Sequence, residues 1–381
     1  MISYWEKQSL LQIDVAIIGS GITGLSAAIS LKEKLPHLSV AIFERGVLPS
    51  GASTRNAGFA CIGSVGEIVS DLKLLSTKEA LQLIEMRFKG LQLLRQRLGD
   101  AKIQYRENGS FELLHTNELY LANEIEVLNK LLHSITNQTT FSIASTRLIE
   151  QFGFNQSCFA GIIQNHCEGE LHTGEMMKHL HLLAIEKGVQ LYTGCEVKHI
   201  EDTGVCTNIN VARNIADATV SFTAKRAIVA TNAFTSSLFP TEEATPGRGI
   251  VLITKPIKTL PFKGIFHFNE GYYYFREIDN RVLLGGGRNE DFIEETTTSF
   301  NINEHIYNLL LQKLSTHILP NQPFEIDMQW SGIMAFGATK KPNLKWLSTN
   351  TFGAFKMGGM GVAIGSLAGE IAAENIATSL Q

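Results

Sequence analysis

Gly19-Ser20-Gly21-Ile22-Thr23-Gly24 spaces three glycines through six residues. The first permits a tight turn, the second lets backbone amides approach a pyrophosphate, and the third lets a helix sit close on the preceding strand. Further on stands Glu44, a carboxylate able to accept the hydroxyls of an adenosine ribose. A second glycine-rich run, FKMGGMGVAIGSLAGE, carries Gly358, Gly359, Gly361, Gly365 and Gly369 near the other end of the chain. A helix N-terminus bare of side chains can lie against a flat ring, and its unpaired amides stabilise negative charge there. The chemistry these residues suit is the grip of one long ligand, phosphates at the first turn and an electron-accepting ring at the last. The rival reading is structural: a βαβ turn for the first run and close helix packing for the second.

Definite elements must position these residues. IDVAIIG, ending at Gly19, is a β-branched apolar run suited to a strand buried on both faces. LSAAISLKEKL then repeats apolar residues at helical spacing and stops before Pro36, and SVAIF (39–43) reads as a second strand with Glu44 at its end. This order of strand, glycine turn, helix, strand and acid specifies a dinucleotide, and both NAD and FAD carry the ADP half. The segment after Glu44 favours FAD. Where simple nicotinamide enzymes continue with another βαβ unit, this chain has RGVLPSGASTRNAG, whose GASTRNAG is small, polar and free of acids. That segment would bring Ser53, Thr54 and Asn56, with Arg45, Arg55 and Gly58 around them, beside a pyrophosphate and the ring beyond it. Thr173 is the expected N-cap for a helix through EMMKHLHLLAIEKG that ends at Gly188. VQLYTGCEVKHI is strand-like, and backbone at Val197 could hold the adenine edge. AIVA (227–230) adds a buried strand with Thr231 and Asn232 at its carboxyl end, where such sheets bind ligands. Gly358, Gly359, Met360, Gly361 and Val362 open the final helix, with Ile364, Leu367 and Ile371 on one apolar stripe.

The bulk numbers set the frame. At 381 residues the chain is too long for one core and about right for two domains. With 44% hydrophobic and 18% charged residues it has an ordinary folded composition, and a net charge of −4 gives no reason to expect nucleic acid. Five cysteines form no CxxC pair, and MISYWEKQSLLQ carries Glu6 and Lys7 before any apolar run. Reduced thiols in a cytoplasm are therefore expected. No stretch approaches the ~20 apolar residues of a membrane span. His166, Cys167 and His172 lack ordinary zinc spacing, and His179 and His181 do not share a helical face, so no metal site is expected.

On these residues the chain resembles the FAD-dependent oxidoreductases of the D-amino-acid oxidase and glycine oxidase superfamily. The likeness runs through VAIIGSGITGLSAAISL, FERG, SGASTRNAG, GELHTGEMMKHL, AIVATNAF, GRGIVL, GYYYFREIDNRVLLGGG, WSGIMAF and GGMGVAIGSLAGEIAAE. SGASTRNAG, YFREIDNRVLLGGG and GMGVAIGSLAG look closest to the branch that includes gamma-glutamylputrescine oxidase. The resemblance implies an α/β fold: a discontinuous Rossmann-type (GR2-like) FAD-binding domain over 1–90, 145–235 and 325–381, and an α+β substrate domain with an antiparallel sheet over 91–144 and 236–324. The residues agree with it. GIFHF, YYYFRE and NRVLLGGG read as a meander with turns at Asn269-Glu270-Gly271 and Asp279-Asn280, flanked by helical stretches at 66–98 and 117–136.

The implied chemistry is oxidation of a carbon–nitrogen bond in a small amine or amino acid, hydride passing to flavin N5 and water hydrolysing the imine, with oxygen or another electron acceptor completing the cycle. Amino-acid oxidases of the family clamp the substrate carboxylate with arginine in a Gly-x-Arg context, where this chain has Gly332-Ile333-Met334. That departure puts simple α-amino acids in doubt and leaves Arg248, Arg276, Arg288 and Arg55 as candidates to replace the clamp. Relatives use tyrosines of the 272–274 strand at the active site, and alternation sets Tyr273 opposite Tyr272 and Tyr274. The substrate pocket is thus expected to include Tyr273, Arg248 and Met334, and Gly332 to touch the cofactor. The tethering His or Cys of some relatives has no counterpart near Arg55-Asn56 or Met334–Phe336, so FAD is expected to be non-covalent. Leu283 stands where sarcosine-oxidase relatives have an oxygen-activating lysine, which weakens an oxidase relative to a dehydrogenase. Two alternatives stay open: a flavoprotein modifying an aminomethyl group of tRNA, and a flavin-binding protein without amine turnover.

Overall fold

The computed structural model describes residues 2–212 and 219–381. The chain builds two eight-stranded sheets and a two-stranded ribbon. In the first sheet Gln12–Ile18 runs parallel to Val40–Phe43 on one side and Thr219–Val229 on the other. Gln190–Tyr192 and Thr351–Phe355 extend the parallel set outward. Numbered among themselves in chain order, these five strands lie 3-2-1-4-5 across the sheet. That is the doubly wound order, whose ligands bind where the winding reverses, beyond the carboxyl ends of the two central strands. Val15, Ile17, Val40, Ile42 and Ile228 are wholly buried, as β-branched runs covered on both faces require.

The helix Ile22–Lys34 leaves the first strand through the glycine turn and stops at Leu35, ahead of Pro36. The final helix, Gly361–Ser379, crosses it closely because Gly365 and Gly369 present no side chain there. A Cβ at Gly369 would collide with the Thr23 carbonyl oxygen and lie 2.7 Å from the Ala27 nitrogen. One expected cap moves by a residue. His172, not Thr173, caps the helix Thr173–Glu186, its Nδ1 accepting the Glu175 amide at 3.1 Å. The Thr173 hydroxyl is committed elsewhere, donating to Asn56 Oδ1 at 2.9 Å.

The second sheet runs, in spatial order, Ile326–Phe336, Thr245–Thr254, Arg281–Gly286, Tyr273–Ile278, Ile265–Phe268, Ser110–Leu114, Gly161–Asn165 and Phe141–Ile143. All its pairings are antiparallel except that of Ile265–Phe268 with Ser110–Leu114. The two meander turns form at Asn269-Glu270-Gly271 and Asp279-Asn280, all five residues at positive φ. Hydrogen bonding divides the chain differently from the boundaries drawn on sequence. Gly161–Asn165 pairs with Ser110–Leu114 and Ile326–Phe336 with Thr245–Thr254, so both strands belong to this second sheet. One face packs on the helix Glu304–Lys313 through an aromatic cluster that includes Phe154, Phe262, Phe266 and Phe275. The other turns toward the first sheet.

A carboxyl-rich seam joins the long helices to this sheet. Glu112 accepts the Ser64 hydroxyl at 2.9 Å and the Gly66 amide at 3.0 Å, and Glu168 accepts the Ile62 and Gly63 amides and the Ser110 hydroxyl. Burial pushes Glu112 from an ordinary 4.5 to about 8, against the pull of Ser64 and Gly66 and helped by Glu67 and Glu118. Such an acid keeps its proton when folded and gives it up when unfolded, so stability falls as pH rises from the unfolded to the folded value. Glu112→Gln should remove one proton's slope, ~1.4 kcal/mol per pH unit, from the window between those values. Urea unfolding of both proteins at several pH values across the window checks this; parallel stability curves would show that Glu112 titrates normally.

Candidate functional site

A cavity of about 940 Å³ opens at the winding reversal and extends to the second sheet, near the upper end of small-molecule sites. Its first cradle is backbone. Gly19 sits at φ +102°, and a Cβ there would lie 2.9 Å from the Ala230 oxygen. Gly21 caps the helix without a side chain, and a Cβ there would lie 2.8 Å from Ser53 Oγ, which accepts the Ile22 amide at 3.0 Å. Gly24 does not reach the cavity; a Cβ on it would strike the Gly19 carbonyl. Glu44, 7% exposed, is fixed by the Ser20 amide (3.1 Å), the Ser20 hydroxyl (2.8 Å) and the Gly46 amide (3.0 Å). Beside it the exposed Arg45 guanidinium lies 3.7 Å above the Phe234 ring. Val197, Thr231 and Asn232 complete this end.

The second cradle faces the same space. Lys356, Gly358 and Gly359 all take positive φ to turn the chain from Thr351–Phe355 into the final helix. That helix begins with no side-chain cap and no acid in its first turn. A Cβ at Gly359 would find only Phe336 and Met334, at 3.9 and 4.0 Å. Asn232 Oδ1 accepts the Met357 amide at 3.3 Å and so ties the two cradles together. The five glycines of the last run therefore do two jobs: Gly358, Gly359 and Gly361 line the cavity with Met360 and Val362, while Gly365 and Gly369 set the helix crossing.

Between the cradles, Ser53, Arg55, Asn56 and Gly332 line the cavity, whereas Thr54 and Gly58 do not. The Thr54 hydroxyl donates back to the Pro49 and Gly51 carbonyls, and Gly58, at φ +77°, is pressed against Leu171 and Arg276. Arg55 donates to the Ser50 and Ser331 carbonyls at 3.0 and 2.8 Å.

At the far end two of the three expected substrate residues face away. Tyr273 is 2% exposed, stacks on Phe268 at 5.0 Å and donates to Glu290 at 2.9 Å. Its neighbours Tyr272 and Tyr274 line the cavity instead. Arg248 donates to Glu295 at 2.9 Å on the opposite face of its strand from Gly247 and Gly249. The reason is the two-residue period of a strand: glycines at 247 and 249 leave room for Phe336 and Met334, so Arg248 must project behind. Met334 does line the cavity, with Phe336 and Arg288. Burial pushes Tyr274 up to about 12. Lys340 pairs with Asp71 at 3.1 Å and Glu67 at 3.7 Å; Glu67 is held below its ordinary value despite burial by Lys340, Arg87 and His267. Among the described residues no group of three His, Cys, Asp or Glu could hold a metal, and His166 contacts Ser142 at 2.8 Å.

A family model described as FAD dependent oxidoreductase matches residues 14–375. The chain belongs to that family. It is 26% identical over 391 residues to the gamma-glutamylputrescine oxidoreductase of Escherichia coli, covering 95% of this chain and 83% of that one. It is 24% identical over 380 residues to the probable oxidoreductase OrdL of Haemophilus influenzae, covering 95% and 82%. Among solved structures, glycine oxidase from Geobacillus kaustophilus superposes with a TM-score of 0.76 at 20% identity, covering 96% of this chain and 95% of that one. L-proline dehydrogenase from P. horikoshii gives 0.75 at 16%, covering 96% and 94%.

FAD is the cofactor of this FAD dependent oxidoreductase, and the residues present fit it. Two unblocked helix N-termini open on one cavity, and a buried, immobilised carboxylate stands at the end where an adenosine ribose would lie. Sequence reasoning missed Ser20, which rigidifies Glu44, and the lining residues Tyr272, Tyr274 and Phe336. Only the strand register, which local sequence leaves open, selects these faces.

Proposed function

We propose that the protein oxidises the carbon–nitrogen bond of a small amine or amino acid. The observation that carries this reading is the wall opposite the bare turn at Gly358–Gly361: Met334, Phe336, Tyr272 and Tyr274 form an apolar and aromatic surface from the second sheet. Such a wall excludes water and orients a small substrate against the ring cradle. The substrate would lose a hydride from the carbon bearing nitrogen and a proton from nitrogen, and water would hydrolyse the released imine to a carbonyl compound and ammonia or a shorter amine. Bound FAD supplies the two-electron acceptor. The chain's residues would supply position and charge: the uncapped N-terminus at Met360–Gly361 would hold the ring and favour negative charge on it, and Glu44 with the Gly19–Gly21 turn would hold the other end of the cofactor. The relatives and structural neighbours named for an amine or amino acid support the same class.

The discriminating experiment is anaerobic mixing of FAD-loaded protein with a panel of amines and D- and L-amino acids, monitored at the visible flavin band. At least one class should bleach it, and a band that persists with every amine yet bleaches with dithionite would reject the reading. Leu283 packs with Ala57 and Val251 in an apolar cluster. This supports an acceptor other than oxygen, and the same mixtures in air should give peroxide slowly.

A further inference from the structure

Loss of a hydride requires a neutral amine, whereas small amines reach a protein as ammonium ions. At the end of the cavity formed by the second sheet and the helix Val65–Leu74, most candidate bases are already committed. Asp71 and Glu67 share Lys340, at 3.1 and 3.7 Å, and Glu270 accepts the Ser70 hydroxyl at 2.6 Å. Burial keeps Cys61 and Tyr274 protonated, the thiol pushed well above its ordinary value and the phenol up to about 12. His267 stands apart: it lines the cavity and is 5% exposed, yet its ring has no hydrogen-bond partner among the described residues.

We propose that His267 is the proton acceptor of the cavity: it takes the hydrogen bond of the substrate's ammonium group and then its proton, and so delivers the amine in the form that can be oxidised. The strand Ile265–Phe268 aims it there. Phe266 and Phe268 join the aromatic cluster on the helix side of the sheet, so the residue between them faces the cavity. His267 is paired in register with Tyr274 and extends the wall that carries Tyr272, Phe336 and Met334. On its other side it is paired with Glu112. A carboxylate stands near enough to stabilise an imidazolium. Against burial, Lys340, Arg87 and His267 hold Glu67 below its ordinary value, and that attraction acts equally on both partners. The turn that follows the strand seats on the same group, since a Cβ at Gly271 would lie 3.1 Å from the Glu67 carboxyl carbon. The other titratable groups at this end of the cavity are Asp71, Lys340, Glu270, Cys61 and Tyr272. In the step itself the ammonium N–H bond breaks, its electron pair stays on nitrogen, and the proton goes to the unprotonated imidazole nitrogen. That lone pair then assists departure of the hydride to bound FAD, leaving a protonated imine, and the imidazolium passes its proton to water as the product leaves. Hydride transfer rests on the amine-oxidation reading; the ammonium site stands on His267 itself.

The test uses FAD-loaded protein and 2-phenylpropan-2-amine, whose nitrogen-bearing carbon has no hydrogen to lose, so that binding is read without turnover by calorimetry and by the flavin spectrum. This probe stays an ammonium ion from about pH 8 down to about pH 5, the range in which an imidazole gains its charge. Wild type should bind it, and the affinity should fall by about 10-fold or more across that range, because an imidazolium repels the ammonium and has no nitrogen free to accept from it. His267→Gln, with FAD content and melting temperature unchanged, should bind with an affinity that does not follow pH; His267→Asn replaces it should the glutamine variant fail to fold. In anaerobic reduction by any amine that bleaches the wild-type flavin, the variant should be slower by about 100-fold at neutral pH. That deficit should close as pH rises through the substrate's own ammonium pKa, where free amine needs no acceptor. No binding of the probe by wild type, the same pH dependence of binding in wild type and variant, or a rate deficit constant with pH would each overturn the assignment. If no amine bleaches the flavin, the oxidation reading fails, and the pH dependence of probe binding still decides His267.

Discussion

Gly24→Ala is expected to give protein that purifies without FAD and unfolds at lower urea concentration. Gly24 lines no part of the cavity, so the effect must be transmitted. A Cβ there would collide with the Gly19 carbonyl oxygen and come within 3.3 Å of Ile17 Cγ2. Neither neighbour is the end of a flexible side chain: one is the backbone of the phosphate turn, the other a methyl in a wholly buried core. The helix Ile22–Lys34 must back away from its strand, which also misaligns the amides at its start. Overpacking at backbone typically costs about 3 kcal/mol or more when nothing can yield. Gly51→Ala is the matched control. Gly51 does line the cavity, but its φ is −77° and a Cβ there would meet nothing within 4 Å. That variant should keep its colour and stay within ~0.5 kcal/mol of wild type. The ratio of visible to ultraviolet absorbance and the urea midpoint read both proteins. A yellow Gly24→Ala protein with an unshifted midpoint would mean that helix and strand are not in such close contact.

The contrast between these two glycines also shows what local sequence encodes. The strand, turn and helix from Gln12 to Lys34 were legible because each step is set by neighbours along the chain: β-branched run, bare turn, helical period, Pro36. The meander was legible for the same reason, since Asn269-Glu270-Gly271 and Asp279-Asn280 are turns whatever surrounds them. Face selection was not. Alternation correctly set Tyr273 apart from Tyr272 and Tyr274 but left open which side would meet the cavity. The stacking of Tyr273 on Phe268 and its bond to Glu290, from residues outside its own strand, decide that. Arg248 was lost to the same ambiguity. Arg288 stood only as one of four candidate arginines, and its position between two phenyl rings depends on Phe336, from a strand paired with Thr245–Thr254. The expected boundary at 325 cut that strand away from the second sheet, so the partnership could not be seen.

Gly369→Ala should destabilise the apoprotein more than Gly359→Ala, although only Gly359 faces the cavity. At position 369 a methyl would strike the Thr23 carbonyl oxygen and press on the Ala27 nitrogen and Ser26 Cβ at 2.7 and 2.8 Å. These atoms belong to the helix Ile22–Lys34, so the two helices must part, at a cost of about 3 kcal/mol. The starts of both helices, Gly21 and Met360, face the cavity, so FAD affinity should fall with the crossing. At position 359 space is open and the penalty is that of a left-handed backbone, φ +83°, about 1–2 kcal/mol. Its methyl would instead sit in the ring cradle, toward Met334 and Phe336. Gly359→Ala should therefore shift the reduction potential of bound FAD, whereas Gly369→Ala should mainly lower apoprotein stability and FAD occupancy. Urea midpoints of the apoproteins, FAD dissociation constants and flavin potentials separate the two variants. A reversed order of apoprotein stabilities, with an unshifted potential in Gly359→Ala, would return all five glycines to the single role of helix packing.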